Sequence, residues 1–241
     1  MRDCHKITEL LTGIKTCHNI ENVTYFERIS DLFVLLSKTE QIESVQSFYS
    51  WAEENAIQQP LKHCYAKFLL AHTYFLTEQH ESAFQLIVET QKLFEEKNDA
   101  IGIGCCLVLQ GGIYRTLGNF DLALRTLWQG YQQLKGSGKY SHFLSACSYN
   151  LGSIYFESQN IEEAIHHFKN TLEQSEKARD RFWSNYALHG LGKVYLQQKK
   201  YPEAKEFFEK ALICAEEDKR PLSISNSLTE LANYHFSSRQ F

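Results

Sequence analysis

Residues 151–168, LGSIYFESQNIEEAIHHF, and residues 191–208, LGKVYLQQKKYPEAKEFF, share one spacing of small and aromatic residues. In both, a glycine is followed three residues later by tyrosine, twelve later by alanine and sixteen later by phenylalanine. The spacing recurs less completely from Gly111 and from Ala71, which stand 41 and 40 residues before the start of the following unit. Agreement at four places predicts an internal repeat array with a period of about 40 residues.

The segment from Asn160 to Gln174 has the periodicity of an amphipathic helix. Its apolar residues recur at three- and four-residue steps, and its opposite face carries glutamate, lysine and histidine. Pro60, Pro202 and Pro221 stand at or just before the start of similar stretches, where proline fits the first turn of a helix. Because the alternation expected of strands is missing, the sequence predicts an all-α protein of roughly a dozen helices.

The small residues of the repeat predict close contact between antiparallel helices. We expect Gly152 to face Ala164, because two helices approach closely only where both carry little bulk. The tyrosine and the phenylalanine, each one turn further on, would fill the space between neighbouring hairpins. Since one hairpin cannot cover its own apolar face, the hairpins would stack on one another.

The spaced residues resemble the signature of the tetratricopeptide repeat (TPR) family. The units that match best are Leu151-Gly152-x-x-Tyr155…Ala164-x-x-x-Phe168 and Leu191-Gly192-x-x-Tyr195…Ala204-x-x-x-Phe208-x-x-Ala211. The resemblance implies an α-α superhelix, a TPR-like solenoid of antiparallel helix hairpins. The family's usual tryptophan is absent, and the period of about 40 exceeds the usual ~34 residues. Longer-helix versions of the repeat resemble those of bacterial signalling proteins.

The resemblance covers about residues 22–241 and leaves residues 1–21 as an N-terminal helical extension or cap. The array would hold about five and a half repeats, with an incomplete last repeat from Pro221. Two interpretations of the end at Phe241 are a natural capping helix and a cut inside a longer protein. The apolar Phe236 and Phe241 favour the cut, so an output domain is expected beyond residue 241.

The composition argues against several classes of protein. A net charge of −4 and a pI near 6.2 are not typical of nucleic-acid binders. No run approaches the roughly 18 apolar residues that span a bilayer, and the N-terminus lacks the apolar core of a signal peptide. The seven cysteines are an odd number and are typical of reduced thiols, so we expect a soluble, cytoplasmic protein without membrane contacts.

In the tetratricopeptide family, the first helices of successive units line a concave groove that binds peptides. The side chains that the resemblance places there are Phe26, Phe33, Tyr65, Phe68, His72, Phe75, Val108, Arg115, Thr116, Tyr149, Ser153, Phe156, Glu157, Tyr186, His189, Lys193, Gln197 and Asn233. The groove would be aromatic at its N-terminal end and mixed polar at its C-terminal end. For each aromatic residue a place in the core is the alternative, and for each polar residue a solvated surface.

Two expectations follow for the groove. The carboxylate clamp of the chaperone-binding members is not assembled, because His72, Gly112, Ser153 and Lys193 occupy the matching places. Alanine at Phe68 and Phe156 together is predicted to abolish partner binding without unfolding the array.

Metal and catalytic chemistry are not expected. Cys4-His5 and Cys17-His18 lie 13 residues apart, which fits no common zinc spacing. The adjacent Cys105-Cys106 pair is typical of buried thiols, and of His166-His167 we expect one to face solvent and the other to pack. No nucleophile elbow, Walker loop or triad spacing occurs, so we expect neither an enzyme nor a cofactor.

The sequence therefore indicates a protein- or peptide-binding scaffold. The leading hypothesis is the N-terminal sensory or docking module of a larger bacterial signalling protein, with an output such as a diguanylate cyclase, phosphatase, kinase or DNA-binding domain. One alternative is a self-contained adaptor that forms a homodimer through its N-terminal units. Another is a peptide-pheromone receptor whose groove binds a short secreted peptide.

Overall fold

The computed structural model describes residues 2–17, 32, 42–136, 141–219 and 221–238. All secondary-structure elements within these ranges are α-helices, so the predicted all-α class is confirmed. In chain order they are α1 (Arg2–Thr16), α2 (Ile42–Glu54), α3 (Pro60–Leu76), α4 (His80–Glu96), α5 (Ala100–Thr116), α6 (Phe120–Leu134), α7 (Ser141–Glu157), α8 (Ile161–Lys177), α9 (Arg181–Gln197), α10 (Tyr201–Glu217) and α11 (Pro221–Ser238).

The three prolines mark helix starts, as predicted. Pro60 is the first residue of α3, Pro221 is the first residue of α11, and Pro202 is the second residue of α10. At these positions the missing N–H costs no intrahelical hydrogen bond. The helices α3, α10 and α11 therefore begin where the prolines place them.

The turns that end most helices use a residue with left-handed backbone. Gln159, after α7, has φ 60°, and the next residue's N–H, that of Asn160, donates to the Tyr155 carbonyl at 2.8 Å. This contact satisfies a carbonyl that would otherwise be left without a partner at the helix end. Positive φ recurs at the other helix ends, at Glu78, Asn98, Gly118, Arg179, Lys199 and Lys219. Such short turns bring consecutive helices together as antiparallel neighbours.

The chain divides into two compact units, Met1–Tyr140 and Ser141–Phe241. In the first unit, α3 packs on α4 and α5 packs on α6. In the second, α7 packs on α8 and α9 packs on α10, while α9 also contacts α7, α8 and α11. The boundary predicted at residue 21 falls outside the described residues and stays a prediction.

Phe168 is the centre of the core in the second unit. Its ring is 2% exposed, and a Cβ added to Gly152 of α7 would lie 2.9 Å from it. A Cβ added to Gly190 of α9 would lie 2.6 Å from the same ring. The side chain nearest to a Cβ at Gly152 is that of Phe168 and not the expected Ala164, because the space that the glycine leaves admits the aromatic ring. The predicted role of Phe168 in joining neighbouring hairpins is confirmed.

Candidate functional site

In the first unit, most of the predicted groove residues are core residues. Tyr65, Phe68 and Val108 are 1%, 0% and 2% exposed, and His72 is buried as well. The half-buried members are Phe75 and Arg115, the exposed one is Thr116, and Phe26 and Phe33 lie outside the described residues. Removing the fully buried Phe68 ring would leave a cavity, so the double alanine variant at Phe68 and Phe156 would not leave the array intact.

Tyr65 has a structural role that explains its burial. Its hydroxyl donates a hydrogen bond to Asp99 Oδ2 at 2.8 Å, and its ring packs edge-on against Phe94 at 4.9 Å. Asp99 Oδ1 accepts hydrogen bonds from the backbone N–H groups of Ile101 and Gly102, which caps α5. Tyr65 therefore stabilises the start of α5.

In the second unit, four half-buried aromatic rings lie together on α7 and α9. They are Tyr149, Phe182, Trp183 and Tyr186, and we call them the aromatic cluster. The ring centroid of Tyr149 lies 5.4 Å from that of Trp183 and 5.3 Å from that of Tyr186. The centroid of Phe182 lies 4.8 Å from each of the same two rings. Rings at such distances stabilise one another. All four are half-buried, so each keeps part of its surface in solvent.

Two members of the aromatic cluster, Phe182 and Trp183, were not among the groove residues predicted from sequence. They occupy the first turn of α9, where the family signature specifies no residue. The local signal that could have identified them is the pair Phe182-Trp183, which begins two residues after the capping residue Asp180. Phe182 and Trp183 stand four and three residues before Tyr186. Residues at that spacing share a helix face.

The aromatic cluster rests on a buried polar pair. His142 Nδ1 lies 2.6 Å from Asp180 Oδ2, and both side chains are almost inaccessible. Trp183 Nε1–H donates to His142 Nε2 at 3.4 Å. Asp180 Oδ1 accepts from the N–H groups of Phe182 and Trp183, so one carboxylate caps α9 and orients the indole through His142.

The pKa of Asp180 is lower than its usual 3.8 despite its burial. Burial raises this pKa, but the His142 ring and the backbone N–H groups of Trp183 and Phe182 lower it by more. Asp180 is therefore an ionised carboxylate at neutral pH, held in place by donors on both of its oxygens.

Polar side chains lie on the C-terminal halves of α7 and α9, the two helices that carry the aromatic cluster, and we call them the polar strip. Its exposed members are Glu157, Lys193 and Gln197. Lys193 Nζ lies 2.8 Å from Glu230 Oε1 on α11, and Gln197 Nε2 donates to Gln159 Oε1. Phe156 is half-buried and packs against the Phe168 core, so it borders the strip without being free of the interior.

Ser153, His189 and Asn233 complete the positions predicted for the second unit. Ser153 and His189 are buried, at 7% and 9% exposure, whereas Asn233 is exposed on α11. His189 Nε2 lies 2.9 Å from Ser227 Oγ. Because the Ser227 hydroxyl donates to the Ser223 carbonyl, the imidazole N–H is the donor to Ser227. His189 thus joins α9 to α11.

Substituting His189 by glutamine is predicted to reduce the loss of stability in acid. Burial lowers the pKa of His189 to about 4; Glu230 opposes this shift and Lys193 adds to it. Because the unfolded chain takes up the proton near pH 6.5, stability falls from that pH down to about 4, by up to about 3 kcal/mol. Urea unfolding at pH 7 and pH 4.5 measures this loss. The loss of stability between pH 7 and pH 4.5 should be smaller in His189→Gln than in the wild type. It should persist in His166→Gln, which serves as the control because His166 is exposed. Equal losses in the wild type and both variants would contradict the assignment of this acid sensitivity to His189.

The described residues offer little for metal or redox chemistry. No group of three His, Cys, Asp or Glu side chains among them could hold a metal ion. Cys105 and Cys106 are buried as predicted, and burial raises the pKa of both thiols well above the usual value. Of the histidine pair, His166 is exposed and His167 is buried, again as predicted. Over the same ranges, no helix is both long and apolar enough to cross a membrane.

The sequence matches one family model. Residues 144–217, which include the two best repeats, match the model described as tetratricopeptide repeat, and the predicted resemblance is confirmed. Among curated proteins, none matches this sequence.

Several solved structures share the fold. BtubC (BKLC) from P. vanneervenii is 18% identical, with a TM-score of 0.65 over 83% of this chain and 84% of its own. The apo form of RapI is 17% identical, with a TM-score of 0.59 over 100% of this chain and 73% of its own. A Rap protein complexed with Competence and Sporulation Factor is 12% identical, with a TM-score of 0.54 over 92% of this chain and 67% of its own. The predicted fold class, a TPR-like solenoid of helix hairpins, is confirmed.

Proposed function

We propose that this chain, whose residues 144–217 match the tetratricopeptide repeat model, is a scaffold that binds a protein or peptide through the aromatic cluster and the adjoining polar strip. The observation that carries the proposal is the cluster itself. Four aromatic rings stand together on α7 and α9, each keeping part of its surface in solvent. Aromatic residues dominate binding energy at protein interfaces because they bring large contact areas at low entropic cost.

The polar strip complements the cluster as the rim of a binding surface. Glu157 and Gln197 expose a carboxylate and an amide, which suit the N–H and C=O groups of a peptide backbone. Lys193 is held by Glu230, so its position is fixed before a partner arrives. The partner would therefore place an apolar or aromatic residue on the cluster and a polar backbone segment along the strip.

The buried pair beneath the cluster supports a binding role over a merely structural one. Asp180 and His142 fix the Trp183 indole through two successive hydrogen bonds. A residue locked in this way loses little entropy when a partner covers it. No catalytic step is assigned to these residues.

A signalling context is the finer part of the proposal. Its support is the likeness in fold to RapI and to a Rap protein complexed with Competence and Sporulation Factor. In this context the chain would act inside a bacterial cell as the sensory or docking module of a regulator, and partner binding would bias an output domain. A peptide receptor is the second candidate, favoured by the second of these two likenesses.

Selection from a random-peptide display library tests the proposal. Enriched peptides are titrated against a protein carrying Trp51→Phe and Trp128→Phe, in which Trp183 is the remaining tryptophan. We expect binding to shift the Trp183 emission, because the partner changes the exposure of the indole. Combining Tyr149→Ala with Tyr186→Ala should weaken binding at least about tenfold.

The matched control is Phe207→Ala. Phe207 is also a half-buried aromatic residue, but it lies on α10 and stacks on Tyr195 at 5.3 Å. Affinity should be unchanged by this substitution. Peptides that bind the tyrosine double variant as tightly as the parent protein, or that leave the Trp183 emission unaltered, would show that the cluster is not the binding surface.

A further inference from the structure

Lysine side chains of this protein lie over several of its own aromatic rings. Lys15 Nζ lies 5.3 Å from the ring centroid of Trp51, and Lys200 Nζ lies 5.7 Å from that of Tyr195. At such distances a positive charge is attracted to the electron-rich face of the ring. Both rings are half-buried, so the fold places a cation on a partly exposed ring where its own sequence supplies one.

Two rings of the aromatic cluster lack such a cation. Across the residues that the structure describes, no lysine or arginine lies over the ring of Tyr149 or of Trp183. Arg181 is the cation next to the cluster in sequence, but it forms an ion pair with Glu217 of α10, with Nη2 3.1 Å from Oε2. Tyr149 and Trp183 keep part of their surface in solvent, so a cation that covers them has to come from a partner.

The hydrogen bond of Trp183 strengthens its ring as a place for a positive charge. The indole N–H donates to His142, whose ring also lies 2.6 Å from the Asp180 carboxylate. A donated hydrogen bond leaves electron density on the donor, and linked hydrogen bonds polarise one another. Tryptophan is also the aromatic residue that attracts cations most strongly. The buried pair therefore makes the face of the indole more negative as well as fixing its orientation.

We propose that the partner carries an arginine whose guanidinium stacks on Tyr149 or Trp183, beside the apolar or aromatic residue that the cluster receives. This contact rests on the proposed function and adds the charge that the partner brings to the same surface. A guanidinium suits the rings because it is planar, weakly hydrated and stacks on aromatic faces. It also gains an electrostatic attraction to the ring faces that an apolar side chain does not have.

Two random-peptide display libraries of equal length test the inference. The central residue is fixed as arginine in one library and as leucine in the other, and both are selected on the wild-type protein. The tightest peptide from the arginine library is then compared with its citrulline analogue, which has nearly the same shape but no charge. We expect the analogue to bind at least about fivefold more weakly, as measured by fluorescence anisotropy of the labelled peptides.

Fluorinated tryptophan shows whether the lost affinity belongs to the ring of Trp183. In the protein that carries Trp51→Phe and Trp128→Phe, monofluorinated or difluorinated tryptophan enters at position 183 alone. Because fluorine withdraws electron density from the face of the ring, each added fluorine should weaken binding of the arginine peptide further. Binding of the citrulline analogue should stay the same, which controls for changes in packing and in the hydrogen bond to His142.

The failure of this inference can be told apart from the failure of the proposed function. A leucine peptide that binds as tightly as the arginine peptide, and that loses affinity when Tyr149→Ala is combined with Tyr186→Ala, would overturn the arginine contact and leave the binding surface in place. Equal effects of fluorination on the arginine peptide and its citrulline analogue would overturn the contact too. Peptides from both libraries that bind the tyrosine double variant as tightly as the wild type would overturn both proposals.

Discussion

Replacing Phe168 by alanine is expected to lower the free energy of unfolding by about 3–5 kcal/mol. The ring is 2% exposed and lies between α7 and α9, against Gly152 on one helix and Gly190 on the other. Its removal would leave a cavity that neither helix can fill, because both carry glycine at the point of contact. Urea unfolding of wild type and variant, followed by circular dichroism, measures the loss.

A double-mutant cycle with Gly190→Ala separates this packing from a general loss of apolar area. In the wild-type protein the added methyl group would lie 2.6 Å from the Phe168 ring, and overpacking of about 1–3 kcal/mol should outweigh the helical preference for alanine. In the Phe168→Ala background the ring is gone, so the same substitution should stabilise the helix by about 1 kcal/mol. The sign of the effect is therefore expected to reverse.

Gly136→Ala is the control for this cycle, because within the described part of the chain no atom beyond the immediate neighbours of Gly136 lies within 4 Å of a Cβ at that position. Its effect should be the same in both backgrounds. If Gly190→Ala also had equal effects in both, the ring would not be held between the two glycines, and the account of hairpin stacking would be wrong.

Replacing Asp180 by alanine is expected to cost about 3 kcal/mol. The substitution removes the cap of α9, which is worth about 1 kcal/mol, and leaves the buried His142 N–H without its acceptor, which costs about 1–3 kcal/mol. Since Trp183 is oriented through His142, its emission should change as well. Urea unfolding and Trp183 fluorescence in the background without the other two tryptophans measure both effects.

Asp99→Ala is the matched control for Asp180→Ala. Asp99 also caps a helix through Oδ1 and accepts a side-chain hydrogen bond through Oδ2, from the Tyr65 hydroxyl. It should lower stability, yet leave the Trp183 emission and peptide binding unchanged. If both variants left the emission of Trp183 unaltered, the buried pair would not orient the aromatic cluster.

The contribution of Asp180 to the free energy of unfolding is expected to decrease in acid. Because the pKa of this carboxyl is below its usual 3.8 in the folded protein, its contribution is complete above about pH 4. The contribution is lost as the pH falls below 3.8 and the carboxylate becomes protonated. The contribution of His189 to stability changes at higher pH, between 6.5 and about 4. The effects of Asp180 and His189 can therefore be separated by measuring stability across the pH range.

The hairpins could be predicted from sequence because their signals are local. The spacing of Gly152, Tyr155, Ala164 and Phe168 specifies two helices and their contact, and proline marks helix starts such as Pro60. What the spacing does not specify is which side chain meets the glycine. The choice between Ala164 and Phe168 depends on the rotation of two packed helices, and this is a tertiary property.

The candidate site was less predictable for the same reason. Position along a first helix does not distinguish the half-buried Tyr186, six residues before Gly192, from the buried Tyr65, six residues before Ala71. The burial of Tyr65 depends on Asp99 and Phe94, which lie elsewhere in the chain. Trp183 was not predicted as a site residue because the repeat signature specifies no residue in the first turn of α9. Its place follows from the contact of Asp180 with His142, 38 residues earlier in the chain.

Photo-cross-linking tests whether the aromatic cluster is the binding surface. A benzoylphenylalanine group is placed at Tyr186 in one protein and at Phe207 in another, and each is irradiated with a peptide selected on the wild-type chain. We expect a covalent adduct at position 186 and none at position 207. An adduct at position 207 alone would contradict it and would place the partner on the second helices of the hairpins.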